Sequence, residues 1–188
     1  DKRKQILNYF DSLDIEIKIL PSLKDLVSGT VNFEDIKNID VKDILDREIK
    51  INLDEIRNQF NDEIILVTGA GGSIGSELCF QLSNLNIKKI VLIDHSEFNL
   101  YRVQTELVRI NDQKKNKFDI VAILSNINDS ERLKSIFNEH SPQYVFHAAA
   151  YKHVPIVEEN IVDSVKNNVF GTLNVIEIAL ASNVKKFL

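Results

Sequence analysis

One cysteine, Cys79, stands in the 188 residues. This excludes an internal disulfide and points to a reducing compartment. Methionine is missing altogether and the first residue is Asp1; because translation starts at methionine, we expect a piece of a longer protein. Prolines number three and glycines six, while 44% of residues are hydrophobic and 27% charged, the ordinary range of a globular domain. No apolar run approaches the about 18 residues that a membrane helix needs, and nothing resembles a signal peptide. A soluble, cytoplasmic chain is expected. A basic excess is absent too: 23 Lys and Arg against 28 Asp and Glu leave a net charge of −5, which argues against a nucleic-acid surface or a polybasic membrane patch.

What is present falls into two textures. Residues 1–60 are charge-rich and read as a small α/β segment or linker. Ile15, Ile17 and Ile19 alternate with Glu16 and Lys18, a period of two that suits a half-buried strand, and Pro21 ends it. Short amphipathic pieces follow at Leu23–Val27, Phe33–Ile39, Val41–Leu45 and Leu53–Phe60. Residues 61–188 instead alternate strand and helix. Apolar runs at Ile64–Val67, Ile90–Ile93, Phe118–Leu124 and Tyr144–Phe146 read as strands covered on both faces. Between them, Ile74, Leu78, Leu82 and Leu85, then Leu100, Val103, Leu107 and Ile110, then Leu133, Ile136 and Phe137, recur at helical spacing. Asp129 or Ser130 can cap the third of these helices. Val165, Val169, Leu173, Ile176 and Leu180 predict a long fourth helix, and Lys185–Leu188 opens a fifth strand. Units of this length force parallel pairing with right-handed crossovers. The expected fold is a doubly wound α/β sheet, ordered 3-2-1-4 in the strands of this part, with the fifth strand cut short.

The first strand runs into Thr68-Gly-Ala-Gly-Gly-Ser-Ile-Gly75. Gly69, Gly72 and Gly75 give G-x-x-G-x-x-G at a strand–helix junction. The first permits a tight turn, the second lets backbone approach a pyrophosphate, and the third lets helix pack on strand. The helix start offers N–H groups and a positive dipole end, and Ser73 adds a hydroxyl. Asp94 closes the second strand, where a carboxylate accepts both hydroxyls of an adenine ribose and repels a 2′-phosphate. No arginine follows closely, so NAD is favoured over NADP. The blander reading of Asp94 is a helix cap ahead of Ser96 and Glu97.

Strand four ends in His147-Ala-Ala-Ala150, leaving space at the mouth where doubly wound sheets bind ligands; tight helix packing is the blander alternative. The long helix carries Gly171, which costs about 1 kcal/mol relative to alanine and so implies a packing reason. Asn168 and Thr172 lie one turn apart, placing Asn168 where it can bond sheet backbone. A Walker A loop is excluded, because no lysine occurs between Gly69 and Lys88. A methyltransferase remains open but does not account for Ala148–Ala150.

These segments, Thr68–Gly75, His147–Ala150 and Asn168–Thr172, resemble the extended short-chain dehydrogenase/reductases. Asp94-His-Ser-Glu-Phe-Asn-Leu-Tyr101 and Ala149-Ala-Tyr-Lys-His-Val-Pro155 are similar, more narrowly, to the bacterial polysaccharide-biosynthesis UDP-N-acetylglucosamine 4,6-dehydratases. The resemblance covers about residues 62–188, and Ile19-Leu-Pro-Ser22 resembles the segment before the dehydratase domain in membrane-anchored members. It implies NAD as cofactor and a redox-neutral elimination. Hydride leaves sugar C4 for the cofactor, water is lost across C5–C6, and hydride returns at C6 to give a UDP-4-keto-6-deoxy-HexNAc. It further implies that Gly69, Gly72, Ser73, Ile74 and Gly75 hold the pyrophosphate and that Asp94, with Ser96 beside it, holds the ribose. Asn126 and Ile127 would lie by the adenine, and Ala148, Ala149, Ala150 and Asn168 by the cofactor, with Lys152 and His153 lining the sugar-nucleotide pocket. Asn126 stands where the family usually has Asp, and its amide oxygen can still accept from the adenine amino group. The family's catalytic Ser/Thr-Asp segment and Lys would follow Leu188, so no catalytic residue is assigned and the chain alone is expected not to turn over. The resemblance also implies a homo-oligomeric full protein, anchored on the cytoplasmic face of the bacterial inner membrane through segments absent here. A nucleotide-sugar 4-epimerase, or a non-catalytic dinucleotide-binding module, are the alternatives.

Other groups read as structural. His95, His140, His147 and His153 lack metal spacing. Glu158 and Glu159 are adjacent on a helix and point apart, and no G-x-S-x-G elbow supports a serine triad.

Overall fold

A computed structural model describes residues 53–188 and, ahead of them, two short strands. The chain separates into two compact units, Asp1–Ile51 and Asn52–Leu188. In the first, β1 (Lys18–Ile19) pairs antiparallel with β2 (Lys37–Asn38). The end of the strand expected around Ile19 is therefore a strand. Ile15 and Ile17, and the pieces Leu23–Val27 and Val41–Leu45, lie outside the described residues.

The second unit opens with α1 (Leu53–Gln59), ahead of the change in sequence texture at residue 60. Phe60, just past this helix, meets the Tyr144 ring edge-on at 4.7 Å and the Phe146 ring at 6.0 Å, so packing ties it to the sheet. That sheet holds β3 (Ile64–Thr68), β4 (Lys89–Asp94), β5 (Asp119–Leu124), β6 (Tyr144–His147) and β7 (Lys186–Phe187). All pairings are parallel and the order is β5-β4-β3-β6-β7, the doubly wound arrangement expected.

Alternation along the central strands builds two cores. Ile65 and Val67 of β3, with Ile90 and Leu92 of β4, face α2 (Ser73–Ser83) and α3 (Glu97–Asp112), where Leu82, Leu100, Val103 and Leu107 complete one cluster. Leu66, Val91, Ile93 and Val145 face the other way, onto Leu133, Ile136 and Phe137 of α4 (Ser130–His140) and Val175 and Ile178 of α7 (Thr172–Ala181). Each fully buried aliphatic side chain contributes about 1.5–3 kcal/mol. Cys79 sits in the first core with no exposed surface; burial pushes its thiol up to about 12, so it is an inert packing residue. Asp129 caps α4 by accepting from the Arg132 N–H at 3.0 Å.

The long helix differs from expectation in two ways. After α5 (Val154–Glu159) and α6 (Ile161–Val165), residues Lys166–Gly171 form a π-helical turn before α7 resumes. The apolar stripe picked out by periodicity is also on the outside: Val165, Val169, Leu173 and Leu180 are exposed. Ser164, Asn167, Gly171, Val175 and Ile178 face inward. The helix is apolar on two sides, and periodicity cannot say which one meets the sheet. Close approach decides it: a Cβ at Gly171 would stand 2.6 Å from Ile127 Cδ1. Among the described residues, no helix is long and apolar enough to cross a membrane.

Candidate functional site

The carboxyl ends of β3, β4, β5 and β6 open into a cleft. Its floor is the glycine turn. Gly69 has φ +64°, and a Cβ there would lie 2.7 Å from the backbone of Ala148 and of Ala149. The turn thus presses directly on the mouth of β6. A Cβ at Gly75 would fall 2.0 Å from the Gly69 carbonyl oxygen. Gly72 is different, since its Cβ would meet only the Gly69 oxygen at 3.2 Å, leaving that backbone open toward the cleft. Gly71, which the spacing pattern passes over, is as constrained as the others: its Cβ would collide with Asn99 Cβ at 2.5 Å. Gly72 is also the N-cap of α2 and supplies no side-chain cap, so the helix dipole end is undiluted.

Asp94 ends β4 inside this cleft, 6% exposed. One carboxylate oxygen accepts from the Gly71 N–H at 2.8 Å and the other from the Ser96 N–H at 2.8 Å. A carboxylate offers about four lone-pair sites, so acceptor capacity remains for a ligand. The helix-cap role falls to Ser96, whose hydroxyl accepts from Asn99 N–H at 3.4 Å at the start of α3. Ser96 does not line the cleft.

Across the cleft, Asn126, Ile127 and Ala148–Ala150 all contribute to the lining. The Asn126 amide oxygen already accepts from Asn128, from its N–H at 2.9 Å and its amide at 3.1 Å. What Asn126 keeps for a ligand is therefore its NH₂ group, not the oxygen that the sequence suggested for an adenine amino group. Asn168 brackets the main chain of Tyr151, accepting from its N–H at 2.8 Å and donating to its carbonyl at 2.9 Å. Lys152 reaches back over the glycine turn, donating to Ser73 Oγ at 2.9 Å, and so lies at the start of α2. Ile74 is exposed beside it. His153 precedes α5 as its N-cap without a side-chain bond and is exposed. Ser73, Ile74, Gly75, Lys152, His153 and Asn168 thus flank the cleft rather than line it.

Sequence reasoning missed Ile93, His95, Asn99, Ser125, Tyr151 and Asn167 in the lining. For Asn167 a signal existed in the adjacent pair Asn167-Asn168. The π turn lets both work at one mouth, Asn167 donating to the Ala149 carbonyl at 3.3 Å. For His95 and Tyr151, whose rings meet edge-on at 6.4 Å, nothing local distinguishes them from surface residues.

Sheet order, glycine turn and Asp94 define a Rossmann domain of the extended short-chain dehydrogenase/reductase class. Within that class the chain belongs to the family described as polysaccharide biosynthesis protein, whose model matches residues 65–188. It is 35% identical to the capsular polysaccharide biosynthesis protein CapD of Staphylococcus aureus, over 100% of this chain and 31% of that protein. It is 32% identical to a UDP-N-acetylglucosamine 4,6-dehydratase (inverting) of Campylobacter jejuni, over 68% of this chain and 35% of that one. Among solved structures, Pen from Bacillus thuringiensis superposes with a TM-score of 0.60 at 34% identity, covering 68% of this chain and 38% of Pen. The chain therefore spans about a third of the length of the curated relatives it matches.

Proposed function

We infer that this chain holds NAD⁺ in the cleft at the ends of β3, β4 and β6, as the cofactor-binding portion of a nucleotide-sugar 4,6-dehydratase that acts on UDP-N-acetylglucosamine. The observation that carries the cofactor is Asp94. It is a buried carboxylate tied to the glycine turn, with acceptor sites to spare and facing the cleft. Those sites match ribose hydroxyls and repel a 2′-phosphate.

The remaining residues fit a dinucleotide. Gly69, Gly72, Ser73, Ile74 and Gly75 cradle the pyrophosphate at the uncapped start of α2, with Lys152 as countercharge. This gives Lys152 a phosphate role in place of the sugar pocket, because its ammonium is already at Ser73. Ser96 supports Asp94, Asn126 and Ile127 flank the adenine, and Ala148, Ala149 and Ala150 leave room for the ring that Asn168 steadies through Tyr151. His153 stays with the sugar nucleotide. NAD, when bound, supplies a reversible hydride acceptor; the chain's own residues bind, orient and exclude water. The similarity to CapD and to the Campylobacter dehydratase supports the nucleotide-sugar reading. The uncovered stripe Val165, Val169 and Leu173 supports a homo-oligomer of the whole protein.

Calorimetric titration with NAD⁺ and NADP⁺ tests the cofactor. NAD⁺ is expected to bind at least about tenfold more tightly, roughly 1.4 kcal/mol, and equal affinities would sink the reading. The longer protein that contains this chain, incubated with UDP-N-acetylglucosamine, is expected to yield a product lighter by one water. An isomer of unchanged mass would make it an epimerase. Asn126→Asp is expected to tighten NAD⁺ by about three- to tenfold, one hydrogen bond's worth. One oxygen would keep Asn128 while the other accepts from the adenine amino group. Unchanged or weaker binding would remove Asn126 from the adenine site.

A further inference from the structure

His147 is linked on both ring nitrogens, and the links join the two halves of the cleft. Nδ1 lies 2.7 Å from Thr68 Oγ1, on the residue that leads into the glycine turn. Nε2 lies 2.9 Å from Thr172 Oγ1, the first residue after the π turn. Proton accounting assigns the tautomer. Thr172 spends its single hydroxyl proton on the Asn168 carbonyl at 2.8 Å, so toward His147 it can only accept. Nε2 therefore carries the ring proton and Nδ1 accepts from Thr68. The chain of bonds runs one way, from Thr68 hydroxyl to imidazole to Thr172 hydroxyl to Asn168 carbonyl, and uses every donor once. Asn168 in turn holds both main-chain groups of Tyr151, and Thr68 accepts the Ala148 N–H at 3.0 Å through its carbonyl.

We propose that His147 is the positioning residue of the cofactor cleft. As a neutral Nε2–H imidazole it locks the glycine turn to the Asn168 clamp, and its protonation loosens both and weakens NAD⁺ binding. The proposal rests on the NAD⁺ reading above and adds to it the group that keeps the two walls in register. A protonated ring makes Nδ1 a donor, and Thr68 Oγ1 must then turn its own proton away into the core, where Thr68 is fully buried.

The surroundings favour the neutral ring. Thr68 faces it from β3, Thr172 from α7, and the Phe187 ring from β7 at 5.8 Å. Lys186 of β7 is in register with Tyr144, and alternation puts it on the opposite face of the sheet from His147. The nearest charged residues along the helix are Lys166 and Glu177, and Glu177 acts on Lys134 of α4. Burial holds the ring's pKa below the ordinary 6.5. Because the folded ring resists the proton, stability is full above 6.5, the unfolded value, and falls as pH drops beneath it; binding falls further down, where the folded ligand-free ring takes the proton.

The test titrates NAD⁺ into the full chain by calorimetry at several pH values between 7.5 and 5. Wild type is expected to weaken by about three- to tenfold toward the acid end, the scale of one or two hydrogen bonds. His147→Gln keeps an amide donor for Thr172 but cannot titrate; it should bind somewhat more weakly at pH 7.5 and show a flat profile. His140→Gln, at the C-terminal end of α4 and outside the cleft lining, should keep the wild-type profile. Thr172→Val, with its fold checked by thermal unfolding, should weaken binding by a similar factor. A long-range proton–nitrogen spectrum of the unligated chain should show His147 as the Nε2–H tautomer. An Nδ1–H tautomer, or a His147→Gln profile that still falls with pH, would overturn the proposal and leave the cofactor reading intact. Failure of wild type to bind NAD⁺ at pH 7.5 would overturn both.

Discussion

Gly75→Ala should weaken NAD⁺ binding by about ten- to a hundredfold while leaving most of the sheet folded. The added Cβ would sit 2.0 Å from the Gly69 carbonyl oxygen and 2.8 Å from its carbon. Those are backbone atoms, and the turn cannot retreat, because Gly69 already presses on Ala148 and Ala149. The start of α2 must therefore move off β3, carrying its dipole end away from the phosphates. Overpacking of this kind costs about 1–3 kcal/mol, and taken from binding it amounts to about ten- to a hundredfold in affinity. Gly72→Ala supplies the contrast. Its Cβ meets only one oxygen at 3.2 Å, so the melting temperature should hardly change while affinity falls, the methyl group occupying ligand space. Calorimetry with thermal unfolding on both variants separates the effects. Wild-type affinity in Gly75→Ala would mean that the glycine turn does not bind the cofactor.

Asp94→Ala is the second large effect. It strands two backbone donors, the N–H groups of Gly71 and Ser96, each now held at 2.8 Å by a carboxylate oxygen. Leaving such a donor unpaired costs about 1–3 kcal/mol, so stability should fall by about 2–6 kcal/mol and NAD⁺ affinity by about a hundredfold. Selectivity is the sharper readout. Removing the charge removes the repulsion of a 2′-phosphate, so the preference for NAD⁺ over NADP⁺ should collapse even where both bind weakly. If the variant is destabilised yet its preference is unchanged, Asp94 is a tie for the loop and the ribose is read elsewhere.

Much of this site was legible in the chain because its constraints are local. A strand that must be buried on both faces shows as an unbroken apolar run, so β3 and β4 stood out without any knowledge of their neighbours. A backbone turn that only glycine can make leaves its mark as Gly69 and Gly75, and the carboxylate closing the next strand lies at a distance set by one helix. Gly71 was not legible, because its constraint comes from Asn99 on a different element. Asn126 was legible as a position but not as a chemistry: its oxygen is consumed by Asn128 two residues on, a loop conformation with no periodic signature.

The sequence by itself determined the alternation of strands and helices, the order of the sheet, the glycine turn and the acidic residue that meets it. Short-range sterics and burial on two faces leave few other ways to write them. Only the tertiary structure decided which side of the final helix turns inward, since both sides are apolar and the close approach of Gly171 to Ile127 settles the choice. Likewise, only the fold could bring His147 between Thr68 and Thr172, or seat Lys152 on Ser73, 79 residues away along the chain. A hydrogen bond is selected by distances of a few tenths of an ångström, and those exist only once separate elements have packed.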